Sequence, residues 1–249
     1  MLGPHAAPDF FTEAWIEELF SIRWQIDHNS NRTGIRLNGP TPEWARGDGG
    51  EAGLHPSNIH DSAYAFGAMD FTGDMPVILG PDGPSLGGFV CPAVVINADR
   101  WKLGQLVPGD EVQLQLVDQH QATEISEAQA QWMEDARQKL VVVPSLSRVK
   151  GSDAARIVLY QAKDVKIRQA GQEWVLLEFG EAIIDVGCRV LIGDFAKIVI
   201  DSGLPGVVEM IPGVRSLLLR FDTTRWAHNT IVPALEPLLE QARTNRSTT

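Results

Sequence analysis

Punctuation sets the tightest limit on how this chain can fold. Between Ala63 and Val117 the short apolar runs "AYAFGAMDF", "MPVIL", "GFVCPAVVIN" and "EVQLQLV" are separated by "TGD", "GPDGPSLGG" and "VPGD". Runs of this length bounded by Gly, Pro and Asp predict β-strands, because glycine and proline interrupt regular structure and aspartate caps the turns between strands. A short amphipathic stretch, "ADRWKLGQL", breaks the series before the Pro-Gly-Asp turn. Upstream, "FTEAWIEELFS" predicts a helix with Thr12 as N-cap and Trp15, Ile16, Leu19 and Phe20 on one face. The segments "RWQIDHN" and "GIRLNG" predict two strands joined by the turn-rich "SNRT".

The rhythm then changes. Residues 123–140, "TEISEAQAQWMEDARQKL", carry many helix formers and few apolar positions, which predicts a solvated connecting helix, with a domain boundary at "SRVKGSDAA". Beyond it "RIVLYQA", "DVKIRQA" and "EWVLLEFG" read as strands, and "CRVLIGDFAKIVIDSG" as a helix closed by Gly203. "GVVEMIPG" and "RSLLLRFD" return to strand, and a last helix covers "TIVPALEPLLEQAR", where Pro233 and Pro237 imply a late start or a kink. The expected class is α+β: a β-rich, barrel-like unit over 1–120, a helical linker over 121–152, and a small α/β sandwich of ferredoxin-like type over 153–249.

Charge and cysteine content narrow the function classes. Asp and Glu number 32 against 21 Lys and Arg, a net charge of −11 that repels phosphate backbones and anionic lipid, so neither nucleic acid nor membrane is an expected partner. No apolar run approaches a membrane span and the first residues lack a signal-peptide pattern, which predicts a cytoplasmic protein. Cys91 and Cys188 are expected to be separate buried thiols rather than a disulfide.

The polar residues between Gly53 and Gly88 are the natural place to look for chemistry. His55 and His60 stand five apart beside Asp61, a spacing that suits neither a helical histidine pair nor a cysteine-containing zinc motif, so a hydrogen-bonding role is preferred to metal and no metal is expected. The loop Gly80–Gly88 lacks a Gly-Lys-Ser/Thr ending, and its prolines remove amides, which argues against a nucleotide phosphate. Ser57 and Ser85 have no nucleophile-elbow motif around them. Asp61, Asp70, Asp74, Asp82 and Asp110 fall at strand ends or turns, and Asp82 sits in the stiff glycine-proline loop where exposed amides could approach a small planar ligand. The seven tryptophans, Trp101 among them, are expected in cores or interfaces. Arg215 in "PGVRSL" could bind an anion or form an interdomain salt bridge.

Longer blocks carry a more specific signal. "NSNRTGIRLNGPTPEWARGDGGEAGLHPSNIHD", "GAMDFTGDMPVILGPDGPSLGGFVCPA" and "WKLGQLVPGD" resemble the carboxyltransferase region of urea carboxylase, found also in fungal urea amidolyase. The resemblance runs from about Gly3 to Val117, and "VLYQAKDVKIRQAGQEWVLLEFGE" and "GVVEMIPGVRSLLLRFD" are similar to the start of the next module of those enzymes. The first module looks like allophanate hydrolase subunit 2 and the second like subunit 1, both truncated; bacterial 5-oxoprolinase subunits share the glycine-rich loop and the Leu-Gly-Gln-Leu pattern.

The resemblance implies transfer of a carboxyl group from carboxybiotin to urea or a related amide, with biotin carried covalently by another domain or chain. Expected partners are biotin carboxylase and biotin carrier domains, or the missing half-modules, and a urea-like small molecule. The expected catalytic residues are His55, His60, Asp61 and Asp82, with Asn58, Gly83, Ser85, Gly87 and Gly88 binding substrate and the loop amides stabilising developing negative charge. These groups are expected to converge at one end of a hairpin formed by 63–71 and the strand ending at Gly80. Two readings follow: a component of a carboxyltransferase that is inactive alone, or a non-catalytic accessory protein derived from urea amidolyase.

Overall fold

The computed structural model of the protein describes residues 1–135, 157–162 and 164–247. Helix α1 (Glu13–Leu19) begins where expected: the Thr12 hydroxyl accepts from the Trp15 amide, and Trp15, Ile16 and Leu19 face inward. Strands β1 (Arg23–Ile26) and β2 (Gly34–Asn38) follow, then β3 (Asn58–Ala63), β4 (Ala68–Thr72), β5 (Met75–Leu79), β6 (Leu86–Phe89), β7 (Ala93–Val94), the short helix α2 (Arg100–Leu103) and β8 (Glu111–Gln113). Six of these strands form one antiparallel sheet in the order β7-β4-β5-β2-β1-β8, while β3 and β6 pair separately. The sheet order is open, with β7 and β8 at its edges, so the barrel-like expectation holds as a curled half-barrel sheet rather than a closed barrel.

The strand expected over 63–71 is divided in two. Gly67 adopts a left-handed φ of +84°, the Tyr64 amide turns to donate to Ser85 O, and the chain leaves β3 to enter a different sheet as β4. A side chain at Gly67 would have to adopt that backbone conformation against its preference, so the break is written into the glycine. The expected hairpin is therefore β4–β5, turning at Gly73 and Asp74, with β3 outside it.

Helix α3 (Gln119–Asp135) is not merely solvated. Ala122 is fully buried against Met1, Ile96, Ala98 and Val117, and glutamines clamp the helix: Gln119 Nε2 donates to Gln172 O, and Gln129 Nε2 to Ala98 O. Amide side chains docked on backbone carbonyls leave no hydrophobic stripe, which is why the pattern looks wholly polar. The boundary expected between Lys150 and Ala155 lies outside the described residues.

The second half contains β9 (Val158–Gln161), β10 (Val165–Gln169), β11 (Trp174–Phe179), α4 (Val186–Ser202), β12 (Val207–Pro212), β13 (Ser216–Phe221) and α5 (His228–Ser247). Its antiparallel sheet runs β12-β13-β11-β10-β9, and α4 and α5 supply Ile192, Phe195, Ile231 and Leu235 to a core against Leu177, Phe179 and Leu219. The Asp185 carboxylate caps α4, and Gly203 at φ +62° closes it. The last helix starts before both prolines, and Pro233 and Pro237 lie inside it, so the expectation of a late start is corrected. The first-half core is a separate cluster built around Phe11, Trp15, Trp24 and Phe71, with Phe11 stacked on Trp15 and Trp44 at 4.8 and 4.5 Å between ring centroids. A third apolar cluster sets Ala63 and Ala65 of the first half against Trp174, Leu176 and Leu218 of the second. No helix among the described residues is long and apolar enough to cross a membrane.

Candidate functional site

Strand β3 lies along the seam between the halves, and a cavity opens at each end of it. Residues directly after β3, Tyr64 to Phe66, line one cavity of about 340 Å³ together with Gly80, Gly83 and Ser85 of the loop and Arg100, Glu173, Trp174, Glu209 and Arg220. The other, also about 340 Å³, involves Arg46 and Glu51, which hold the start of β3: Arg46 Nη1 donates to Pro56 O and Asn58 O, and Glu51 Oε2 accepts from the His60 amide.

Of the expected catalytic and substrate-binding residues Gly83 and Ser85 line the first cavity and none lines the second; the others meet separate partners. His55 packs edge-on against Trp44 with ring centroids 5.5 Å apart; its Nδ1 meets Ser57 Oγ at 3.0 Å and its Nε2 lies 3.4 Å from Asp74 Oδ1. His60 Nε2 is 3.9 Å from Glu51 Oε2. Asp61 reaches across the seam, where its Oδ2 accepts from Ser216 Oγ at 2.7 Å and from the Val214 and Arg215 amides at 2.9 and 3.3 Å. Asp82 is exposed and forms a two-pronged ion pair with Arg32 at 2.6 and 3.1 Å, which holds its carboxyl below the ordinary aspartate range. Neither His60 nor Asp82 lines either of these two cavities. The single-cluster expectation for His55, His60, Asp61 and Asp82 is thus corrected: each carboxylate or imidazole found a local or cross-seam partner, because polar groups near a seam are satisfied by whatever donor the other half presents. Asn58 begins β3, and its carbonyl is one of the two held by Arg46.

The loop contributes differently from expectation. Gly83 and Ser85 do line the first cavity, whereas the Gly80, Asp82 and Gly83 amides already donate to Thr33 O, Arg32 O and Gly80 O. Those amides are committed to the loop and to the turn before β2 and are not free to hold negative charge. Gly87 and Gly88 belong to β6 and allow it to approach closely: a Cβ on Gly87 would sit 2.5 Å from Tyr64 Cε2, and one on Gly88 would sit 2.9 Å from Ile59 O. The Tyr64 hydroxyl fills that space, accepting from the Phe89 amide at 2.6 Å and donating to Phe89 O at 2.9 Å. Burial holds its phenol well above the ordinary tyrosine pKa, so it remains a neutral donor.

The groups with open chemistry in the first cavity come from both halves. Glu173 lies between two arginines, Arg100 Nη1 at 3.3 Å from Oε1 and Arg220 Nη2 at 3.2 Å from Oε2. Burial lowers the Arg100 pKa and Glu173 opposes that shift, leaving a desolvated cation in contact with the Phe66 face at 5.5 Å. Arg100 Nε and Trp174 Nε1 are buried N–H donors without a hydrogen-bond partner among the described residues. Local sequence reading passes over Arg100, Glu173, Trp174 and Arg220, since "ADRWKL" and "GQEWVLL" look like an ordinary helix and strand until the two halves meet. Among the described residues no group of three metal-ligating side chains converges.

Residues 1–116 match the family described as carboxyltransferase domain, subdomain A and B, and residues 165–249 match that described as carboxyltransferase domain, subdomain C and D. The chain is 42% identical over 240 residues to urea amidolyase of Lachancea kluyveri, covering 94% of this chain and 13% of that protein. It is 42% identical over 236 residues to urea amidolyase of Saccharomyces cerevisiae, covering 88% of this chain and 12% of that protein. The crystal structure of Kluyveromyces lactis urea carboxylase superposes with a TM-score of 0.86 at 39% identity, covering 97% of this chain and 22% of that one. The chain therefore spans a small part of the length of the proteins it matches.

Proposed function

Because this chain belongs to the carboxyltransferase-domain family of the urea carboxylases and urea amidolyases, we propose that it forms part of a biotin-dependent carboxyltransferase. That enzyme moves a carboxyl group onto a nitrogen of urea or a related amide, with biotin carboxylase and biotin carrier domains as partners. One observation carries the reading: both halves match consecutive parts of one family domain and superpose together on a urea carboxylase. Two separate cores, one drawn from residues up to Leu116 and one from Val165 onward, support a division into units near 1–120 and 153–249. The order β11-α4-β12-β13-α5, with β10 beside β11 where a last strand would lie, supports a ferredoxin-like reading of the second unit.

The cavity after β3 is our candidate for the reaction site, and its donor set fits the groups involved. Urea offers one carbonyl acceptor and four N–H donors. The unpartnered Arg100 Nε and Trp174 Nε1 suit a carbonyl oxygen, and Glu209 and the backbone around Ser85 suit N–H groups. The same buried donors suit the ureido oxygen of biotin, and carboxybiotin, when delivered, supplies the carboxyl group. Arg100, desolvated and braced by Glu173, then stabilises negative charge that develops on an oxygen bound beside it.

A chimera tests the reading. Residues 1–249 replace the matched segment of the Lachancea kluyveri urea amidolyase, and urea-dependent fixation of labelled bicarbonate is measured with ATP present. The chimera is expected to fix carbon, and Arg100→Gln within it to lower that rate by about 10²-fold or more while urea-independent ATP hydrolysis persists. A folded chimera without urea-dependent fixation would leave the accessory-protein reading standing. The isolated chain, given ATP and bicarbonate, is expected to be inactive.

A further inference from the structure

The second cavity is a separate matter from the reaction site. Four cations, Arg46, Lys166, Arg168 and Arg215, line it with four acids. Most of these charges are paired. Arg168 Nε lies 2.6 Å from Glu178 Oε2, its Nη2 lies 2.7 Å from Asp9 Oδ2, and Lys166 reaches the same Asp9 oxygen at 3.6 Å. Asp164 is occupied by Arg243, which comes from α5 and does not line the cavity. Arg215 Nη2 is 3.3 Å from Glu178 Oε1 and 3.9 Å from Glu51 Oε1. Burial alone would raise the Glu178 pKa, but Arg168 and Arg215 overcome it and keep the carboxylate ionised.

Two cationic groups are left with open valence. Arg46 donates only to backbone carbonyls, lies 5.2 Å over the Phe10 ring, and has no carboxylate partner among the described residues. Arg215 is 7% exposed, and its Nε hydrogen is buried without a partner among the described residues. A buried guanidinium donor left unbonded is costly, and a planar carboxylate is the anion whose two oxygens fit the guanidinium fork. Phe10, buried beneath both Arg46 and Arg168, holds the two guanidinium groups beside the cavity.

We infer that this cavity is a binding site for a small carboxylate, held by Arg46 and Arg215 at the seam between the two halves. The site stands independently of the proposed carboxyl transfer: it shares no lining residue with the first cavity. Because its walls come from both halves, an occupant ties Arg46 of the first to Arg215 of the second and stabilises their docking.

The test titrates the purified chain with ¹³C-labelled acetate at constant ionic strength, following line broadening, with malonate and inorganic phosphate as competitors. Saturable binding of acetate, displaced by malonate and poorly by tetrahedral phosphate, is expected. Arg46→Gln should weaken affinity about 10- to 100-fold, the worth of a charge-assisted hydrogen bond. Arg46→Lys keeps the charge but lacks the planar fork, and should weaken it about tenfold; it serves if the glutamine variant fails to fold. Arg32→Gln, at the exposed pair with Asp82, should bind as the parent does. No saturable binding, or equal affinity in the folded Arg46 variant and the Arg32 variant, overturns the inference.

Discussion

Asp61→Ala should loosen the seam measurably. In the folded chain one carboxylate oxygen accepts from the Val214 and Arg215 amides of the turn between β12 and β13 and from Oγ of Ser216, the first residue of β13. Hydrogen bonds to a charged acceptor contribute about 1.5–3 kcal/mol each. The Val214 amide is exposed and can turn to water, and the Arg215 bond is long at 3.3 Å, so the loss is less than three full bonds. The expected destabilisation is about 3 kcal/mol, which for a chain of this size lowers Tm by roughly 6–12 °C. Asp61→Asn keeps an acceptor but not the charge and should lose about half as much. Calorimetry gives Tm, and urea titration of Asp61→Ala, Ser216→Ala and the double variant gives their coupling, expected at about 1–2 kcal/mol. A loss below about 1 kcal/mol for Asp61→Ala, or no coupling to Ser216, would refute the reasoning.

Acid should destabilise the chain through its buried imidazoles. Burial pushes His228 down to about 4 and His5 down to about 3, so both stay neutral in the fold while the unfolded chain takes up protons near the ordinary value of 6.5. The stability these two neutral imidazoles contribute is therefore complete above about pH 6.5 and falls as pH drops toward 4; His228→Gln should flatten that part of the urea-midpoint profile. Gly87→Ala should cost about 1–3 kcal/mol, since its Cβ would press on the Tyr64 ring and break the paired bonds to Phe89. Chemical denaturation checks it, and an unchanged midpoint would mean that β6 shifts freely.

Much of the fold is legible in the amino-acid sequence. The Thr12 cap, the α4 stop at Gly203 and the alternation of short runs with Gly, Pro and Asp turns are encoded by neighbours in sequence, because capping and turn geometry act over a few residues. The long blocks that resemble urea carboxylase likewise point to the family the chain belongs to. The candidate site is legible only in part. Gly83 and Ser85 do reach a cavity, but whether Asp82 meets a ligand or Arg32, fifty residues away, was for the tertiary structure to decide. Arg100 meets Glu173 across 73 residues and Asp61 meets Ser216 across 155. A polar side chain has no role until its partner is placed, and here the partners are brought together by packing Ala63 and Ala65 against Trp174 and Leu218, an apolar seam that no local pattern announces.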